Sequence, residues 1–159
     1  MTGGSRGIGR AVALMAAERG WDIALNWRGD RAAAEETAAR IRDLGRRVVV
    51  SQGDVSVEAD VIRVFDEAEA AFGRLDAVVV NAGIAAPAMR LAEMGLDRIE
   101  RVIRVNVTGA LLTCREAARR MGRTGEPTAS ITIIGSAASR LGLSLIHISE
   151  PTRPEAISY

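Results

Sequence analysis

Three glycines open the chain at a spacing that suits phosphate chemistry. Gly3, Gly7 and Gly9 lie in Thr2-Gly3-Gly4-Ser5-Arg6-Gly7-Ile8-Gly9, a G-x-x-x-G-x-G loop running directly into a helical pattern. Glycine has no Cβ, so such a loop can turn tightly and bring backbone N–H groups close to a pyrophosphate. The helix that follows points its partly positive N-terminus at the same phosphates. Two guanidiniums can join them: Arg6 in the loop, and Arg28 just past the apolar run 21–27. Arginine pairs with a phosphate through two parallel hydrogen bonds. NAD-preferring dinucleotide folds usually carry an acid at the end of that run to bind the ribose 2′-hydroxyl. Here the position is about Asn26, which is neutral. The combination suits the 2′-phosphate of NADP over NAD. Further along, Ser136 follows the last apolar run, where its hydroxyl can hydrogen-bond a substrate carbonyl or alcohol.

The elements that must position these groups alternate. Ile8 to Arg19 reads as a helix with Ile8, Val12, Met15 and Ala16 on one face, stopped by Gly20. Trp21 to Trp27 reads as a short buried strand, Arg31 to Leu44 as a second helix closed by Gly45, and Val48 to Val50 as a strand running to Gln52-Gly53-Asp54-Val55. Val57 to Phe72 is a third helix with Val61, Val64, Phe65 and Ala68 on its apolar stripe. Leu75 to Val80 is an apolar strand that leads into Asn81-Ala82-Gly83. After a loop with Pro87, Leu96 to Met121 gives one long helix, and Ala129 to Ile134 a last strand ending at Gly135-Ser136. Apolar strands joined to helices by short connections predict an α/β fold, a Rossmann-type doubly wound parallel sheet. In such sheets ligands sit beyond the C-terminal ends of the strands. The glycine loop, Arg28, Asp54, Asn81-Ala82-Gly83 and Ser136 all fall there.

Composition narrows the class. The 159 residues suffice for one domain with a core, and no apolar run is long enough to span a bilayer. Net charge is +1 with acids and bases interspersed, which predicts neither a nucleic-acid nor a membrane surface. Cys114 is the one cysteine, so neither an internal disulfide nor a cysteine-rich metal site is available. No signal-peptide pattern opens the chain, so the expected compartment is the cytoplasm. All 21 basic residues are arginine; lysine is absent.

The sequence resembles the short-chain dehydrogenase/reductases over residues 1 to about 142. TGGSRGIG is similar to that family's cofactor loop, Gly53-Asp54-Val55 to its adenine-pocket turn and Asn81-Ala82-Gly83 to its strand-4 motif. VNVTGA at 105–110 resembles the segment carrying a catalytic asparagine, and IIGSAAS at 133–139 the one carrying a catalytic serine. The resemblance implies cofactor contacts from Gly3, Ser5, Arg6, Gly7, Ile8, Gly9, Arg28, Asp54, Val55, Asn81, Ala82 and Gly83. Within these, Asp54 would accept from the adenine amino group, and Asn81 would bridge strand backbones below the cofactor. Asn106 and Ser136 would be catalytic, the first bending its helix and holding a water, the second orienting substrate. The implied reaction is NADP-dependent reduction of a small carbonyl or oxidation of an alcohol, in a protein that forms homo-oligomers.

The chain departs from the family after Ser136. The family's Tyr-x-x-x-Lys pair should follow by some 13 to 14 residues, a spacing taken from the resemblance, but Ser149 and Glu150 stand there. Tyr159 is the only tyrosine and the last residue, and His147 is a lone histidine in the tail. Residues 143–159 resemble the in-frame translation of a sequencing-library adapter, so a non-native tail is expected there, following a partial dinucleotide-binding domain over 1–142. The family's first strand would precede Thr2, and only Met1 stands there. The expectation is therefore an incomplete sheet, lacking its first strand and C-terminal part, in a fragment without the catalytic pair and inactive as written. The alternative is a non-catalytic dinucleotide-binding relative; Asn106 and Ser136 favour the enzyme.

Overall fold

The structure, a computed structural model, describes residues 1–85, 87, 89–121 and 129–136. The tail expected at 143–159, with His147, Ser149, Glu150 and Tyr159, lies outside the described residues.

Helices and strands alternate as the apolar patterns predict. In order they are α1 (Gly7–Glu18), β1 (Ile23–Trp27), α2 (Arg31–Asp43), β2 (Val48–Gln52), α3 (Glu58–Phe72) and β3 (Ala77–Val80). A 3₁₀ turn (Leu91–Glu93), α4 (Leu96–Ile103), a π turn (Arg104–Thr108), α5 (Gly109–Met121) and β4 (Ser130–Ile133) follow. β1 pairs with β2 in parallel, Ile23 opposite Val48 and Trp27 opposite Gln52. β3 pairs with β4 in parallel, Ala77 opposite Ser130 and Val80 opposite Ile133. The sheet is thus an α/β arrangement in two halves of two strands each, and it is incomplete between them.

Among the described residues, the first four bridge the gap between the strand pairs. Asn26 donates its backbone N–H to the Met1 carbonyl and Gly4 donates to the Asn26 carbonyl, both at 3.0 Å, while Thr2 donates to the Val79 carbonyl at 3.0 Å. Met1 to Gly4 therefore bond to both β1 and β3 as a turn segment, without forming a strand of their own. Below them lies a slot of about 480 Å³ lined by Val12, Ala13, Ala16, Phe65, Ala68, Val78 and other mostly apolar side chains. Each half keeps its own core. Leu25, Ile23, Trp27, Ala34 and Ile41 close one with α1 and α2; Val61, Phe65, Val78, Val80, Val105 and Met121 close the other with α3 and α5.

Three expectations change. The buried face of α1 is Gly9, Ala13 and Ala17, not Ile8, Val12, Met15 and Ala16; Ile8 and Met15 are 61% and 49% exposed. A row of small residues lets α1 approach β1 closely, and that approach outweighs the larger side chains one row away. The helix expected over Leu96 to Met121 is continuous but contains the π turn at Arg104–Thr108. β4 is apolar yet exposed along its length, with Ile133 at 62%.

α5 is fixed on α3 by a buried charge cluster. The Arg120 side chain is 6% exposed and donates to Glu116 at 2.8 Å, Asp66 at 2.8 Å and Glu69 at 2.6 Å. Its guanidinium also stands over the face of Phe65, 5.6 Å from the ring centroid. A buried arginine is tolerable because carboxylates on two helices receive its donors.

The junction at Met1–Gly4 generates two predictions. The Thr2 hydroxyl oxygen accepts from the Asn81 and Ala82 N–H groups at 3.0 and 3.1 Å, and Thr2 is 6% exposed. Thr2→Val keeps the shape but strands both donors, so denaturant unfolding should lose about 1–3 kcal/mol; an unchanged midpoint would refute the role of this hydroxyl. The half-buried Met1 ammonium donates to the Ala24 carbonyl at 2.9 Å, and its desolvation lowers its pKa from 8.0 to about 6. The unfolded amine therefore keeps its proton up to about pH 8, whereas the folded one releases it near pH 6. More protons are bound in the unfolded state between those values, so stability should rise from pH 6 to 8, by about 2–3 kcal/mol in all. Thermal unfolding across that range should show the slope, and N-terminal acetylation should remove it.

Candidate functional site

A second cavity, of about 510 Å³, opens at the C-terminal ends of β1, β2 and β3. Gly3, Ser5, Arg6, Gly7 and Ile8 form one wall, Asn26 to Asp30 and Gly53 to Val55 a second, and Asn81 to Ile84 with Val105 a third. Every cofactor contact expected from the sequence lines this cavity except Gly9. Gly9 packs behind it, for a Cβ there would stand 2.2 Å from the Gly3 carbonyl oxygen and 2.5 Å from Asn81 Nδ2. Its role is to let α1 seat on the loop.

Two buried or half-buried asparagines staple the loop from opposite sides. Asn81 donates from Nδ2 to the Thr2 and Gly3 carbonyls at 3.0 and 3.1 Å. Asn26, 4% exposed, accepts from the Gly3 N–H at 3.4 Å and donates to the Gly53 carbonyl at 3.0 Å. The Asn26 amide thus faces inward, so its neutrality does not decide what meets a ribose. The rim beyond it holds Arg28 and an acid that the sequence reading passed over, Asp30. Asp30 caps α2, its carboxylate accepting from the Ala33 N–H at 2.9 Å. A capping carboxylate has one oxygen committed and its charge offset by the helix N-terminus.

The loop adopts the geometry that glycine permits. Gly3 and Gly7 have φ of 65° and 57°, and a Cβ on Gly3 would lie 2.9 Å from the Ala82 Cα. Arg10, also missed from the sequence, anchors the loop from α1: its Nε donates to the Ser5 carbonyl at 3.1 Å while its two Nη atoms grip Glu36. Thr37 of α2 donates to the same Ser5 carbonyl at 3.2 Å. No local sequence signal marks the Arg10 anchor, because the Glu36 carboxylate that holds it lies on a different helix. Arg6, by contrast, is exposed and forms no ion pair among the described residues.

Asp54 is held from both sides. Its Oδ1 accepts from the Ser56 N–H at 2.9 Å and the Ser56 hydroxyl at 2.7 Å; its Oδ2 accepts from Arg28 Nη1 at 3.1 Å. Partial burial pushes the Asp54 carboxyl up, but the bonds from Ser56 and Arg28 outweigh it and hold it below the usual carboxylate range. Asp54 is therefore an anion at neutral pH.

The two residues expected to be catalytic do not line the cavity. Asn106 sits in the π turn and is bonded twice to Ile84, accepting from its N–H at 2.8 Å and donating to its carbonyl at 2.9 Å. Its side chain thereby clips the segment after β3 to the helix. π turns frequently mark functional positions. Ser136 follows β4, three residues past Ile133, and is exposed.

The residues present fit a phosphorylated adenine dinucleotide. The loop is a cradle that Cβ atoms would fill, the α1 N-terminus opens at its edge, guanidiniums stand at the rim, and Asp54 offers a fixed acceptor.

Known proteins agree with this geometry. The short chain dehydrogenase family profile matches residues 1–147. An uncharacterized oxidoreductase of Escherichia coli, YgfF, is 41% identical over 143 residues, which are 89% of this chain and 58% of that protein. An L-rhamnose 1-dehydrogenase (NAD(P)(+)) of a Sphingomonas strain is 36% identical over 142 residues, 89% of this chain and 55% of the relative. Among solved structures, a short chain dehydrogenase from Burkholderia cenocepacia in complex with NADP superposes with a TM-score of 0.82 at 36% identity, over 91% of this chain and 58% of the other. The chain thus spans little more than half the length of these relatives. A glycine loop seated by two asparagines at the strand ends, the helical asparagine behind it and this agreement over most of the chain make it a member of the short-chain dehydrogenase/reductase family.

Proposed function

We propose that this chain is the cofactor-binding part of an NADP-dependent oxidoreductase that interconverts a small carbonyl compound and its alcohol. The observation that carries the reading is the pairing of a phosphate cradle with Arg6 and Arg28 on the rim of one cavity. The NADP bound by the Burkholderia cenocepacia relative supports the same choice. The nicotinamide supplies or accepts the hydride. The protein's part is to bind and orient. Backbone N–H groups of the glycine loop and α1 receive the pyrophosphate, Arg6 and Arg28 the 2′-phosphate, and Asp54 the adenine amino group. Asn81 with Ala82 and Gly83 shapes the floor beneath the ribose. Ser136 would orient the substrate oxygen, and Asn106 would hold the helix and the segment after β3 in register and place a water.

Neither Asn106 nor Ser136 can deliver a proton at neutral pH. The tyrosine–lysine pair that the family resemblance assigns to that step has no counterpart here, since the chain contains no lysine. We therefore propose that the 159-residue chain binds cofactor but does not turn over. We propose further that the whole protein acts in the cytoplasm as a homo-oligomer, with residues 143–159 foreign to it.

Cofactor preference is tested by calorimetry with NADPH and NADH. NADPH should bind at least about tenfold tighter, the worth of a charge-assisted contact, and high salt should narrow the gap. Arg28→Ala should remove most of that advantage; equal affinities in the parent would defeat the reading. Activity is tested by following NADPH oxidation with ketones and aldehydes. The chain should show none, and turnover should emerge when a continuation carrying Tyr-x-x-x-Lys and a first strand are supplied. In that completed protein Ser136→Ala should abolish turnover while leaving NADPH affinity unchanged. Turnover by the 159-residue chain itself would overturn the proposal for its tail.

A further inference from the structure

Arg28 and Asp54 were each expected to meet a different part of the ligand, yet they meet each other. Arg28 Nη1 lies 3.1 Å from Asp54 Oδ2, across the wall of the cavity that both line. The two partners differ in freedom. The Asp54 carboxylate is fixed at Oδ1 by the Ser56 hydroxyl and N–H. The Arg28 side chain is 49% exposed, and only its backbone is held, by Gln52 donating to its carbonyl at 3.0 Å. A half-exposed ion pair of this kind is weak. A phosphomonoester carries about twice the charge of a carboxylate and offers three acceptor oxygens, so it competes well for the same guanidinium.

We propose that the Arg28–Asp54 pair is a latch over the adenine end of the site, opened by the 2′-phosphate of the cofactor. When the 2′-phosphate takes Arg28, Asp54 Oδ2 loses its one donor among the described residues and becomes a stronger, less crowded acceptor for the adenine amino group. Without a 2′-phosphate, Arg28 stays on Asp54, fills one of the two acceptor positions of Oδ2 and offsets its charge, so the amino group meets a more crowded and weaker acceptor. Recognition of phosphate and of adenine are then coupled, and discrimination between the two cofactors draws on both contacts. This inference rests on the cofactor reading above.

The coupling is read with four ligands, NADPH, NADH and the hypoxanthine analogue of each, which carries a carbonyl in place of the adenine amino group. Calorimetry on the parent chain should show that losing the amino group weakens NADPH about fivefold, the worth of one hydrogen bond, but NADH less than twofold. In Arg28→Ala the latch is absent, so the loss should be about equal for both cofactors. In Asp54→Asn, which folds with the same Ser56 contact but a weaker hold on Arg28, NADPH should lose less affinity than NADPH loses in Arg28→Ala. Equal amino-group effects on NADPH and NADH in the parent would overturn the latch while leaving a measured NADPH preference standing. NADPH binding no tighter than NADH would overturn the preference and the latch together.

Discussion

The hydrogen bonds around Thr2 are the constraint on which the rest depends. Three residues, Thr2, Asn26 and Asn81, hold the glycine loop between two half-sheets that share no strand pairing among the described residues. Each bond serves twice. Asn81 ties the loop to β3 and also fixes the floor of the cavity; Asn26 ties it to β1 and also to the Gly53 turn that carries Asp54. The site is therefore not an ornament on a finished sheet. Its frame is the same set of contacts that keeps the two cores in register.

Charge is handled differently in the core and at the site. Arg120 is buried and saturated by carboxylates of α3 and α5, so it cannot move without leaving charges unpaired. Arg28 at the cavity rim has one carboxylate and much solvent, so exchanging that partner costs little. Arg6 forms no ion pair among the described residues, and Asp30, on another wall of the same cavity, is committed to α2. A chain whose basic residues are all arginine thus assigns the same side chain to rigid and to exchangeable roles. Burial decides which role each takes.

Much of this was legible in the sequence, and the exceptions have physical causes. The loop, the strand ends and the alternation of elements follow from glycine spacing and apolar runs, because those patterns report backbone freedom and burial directly. The buried face of α1 was misread because hydrophobicity ranks Ile8 and Met15 above Gly9 and Ala13, whereas close approach favours the smaller residues. The π turn was anticipated only as a bend at Asn106, through the family resemblance, since one extra residue in a turn hardly disturbs apolar periodicity over 26 positions of helix. Asn26 was read as a missing acid, although a polar residue inside an apolar strand is itself a signal of an inward hydrogen-bonding role. Arg10 with Glu36, and Arg28 with Asp54, could not be seen at all: each pair joins different elements, and sequence distance says nothing of their approach.

The half-buried α-amine of Met1 has one more consequence. With no lysine in the chain, that amine is the only one it has. It sits at the seam between the half-sheets, desolvated and bonded to the Ala24 carbonyl. Amine-directed chemistry on the folded chain therefore meets only a half-buried, hydrogen-bonded amine, and should proceed faster when the seam parts. Acylation at a single position becomes a clock for that opening, one built into the covalent structure and needing no label of its own.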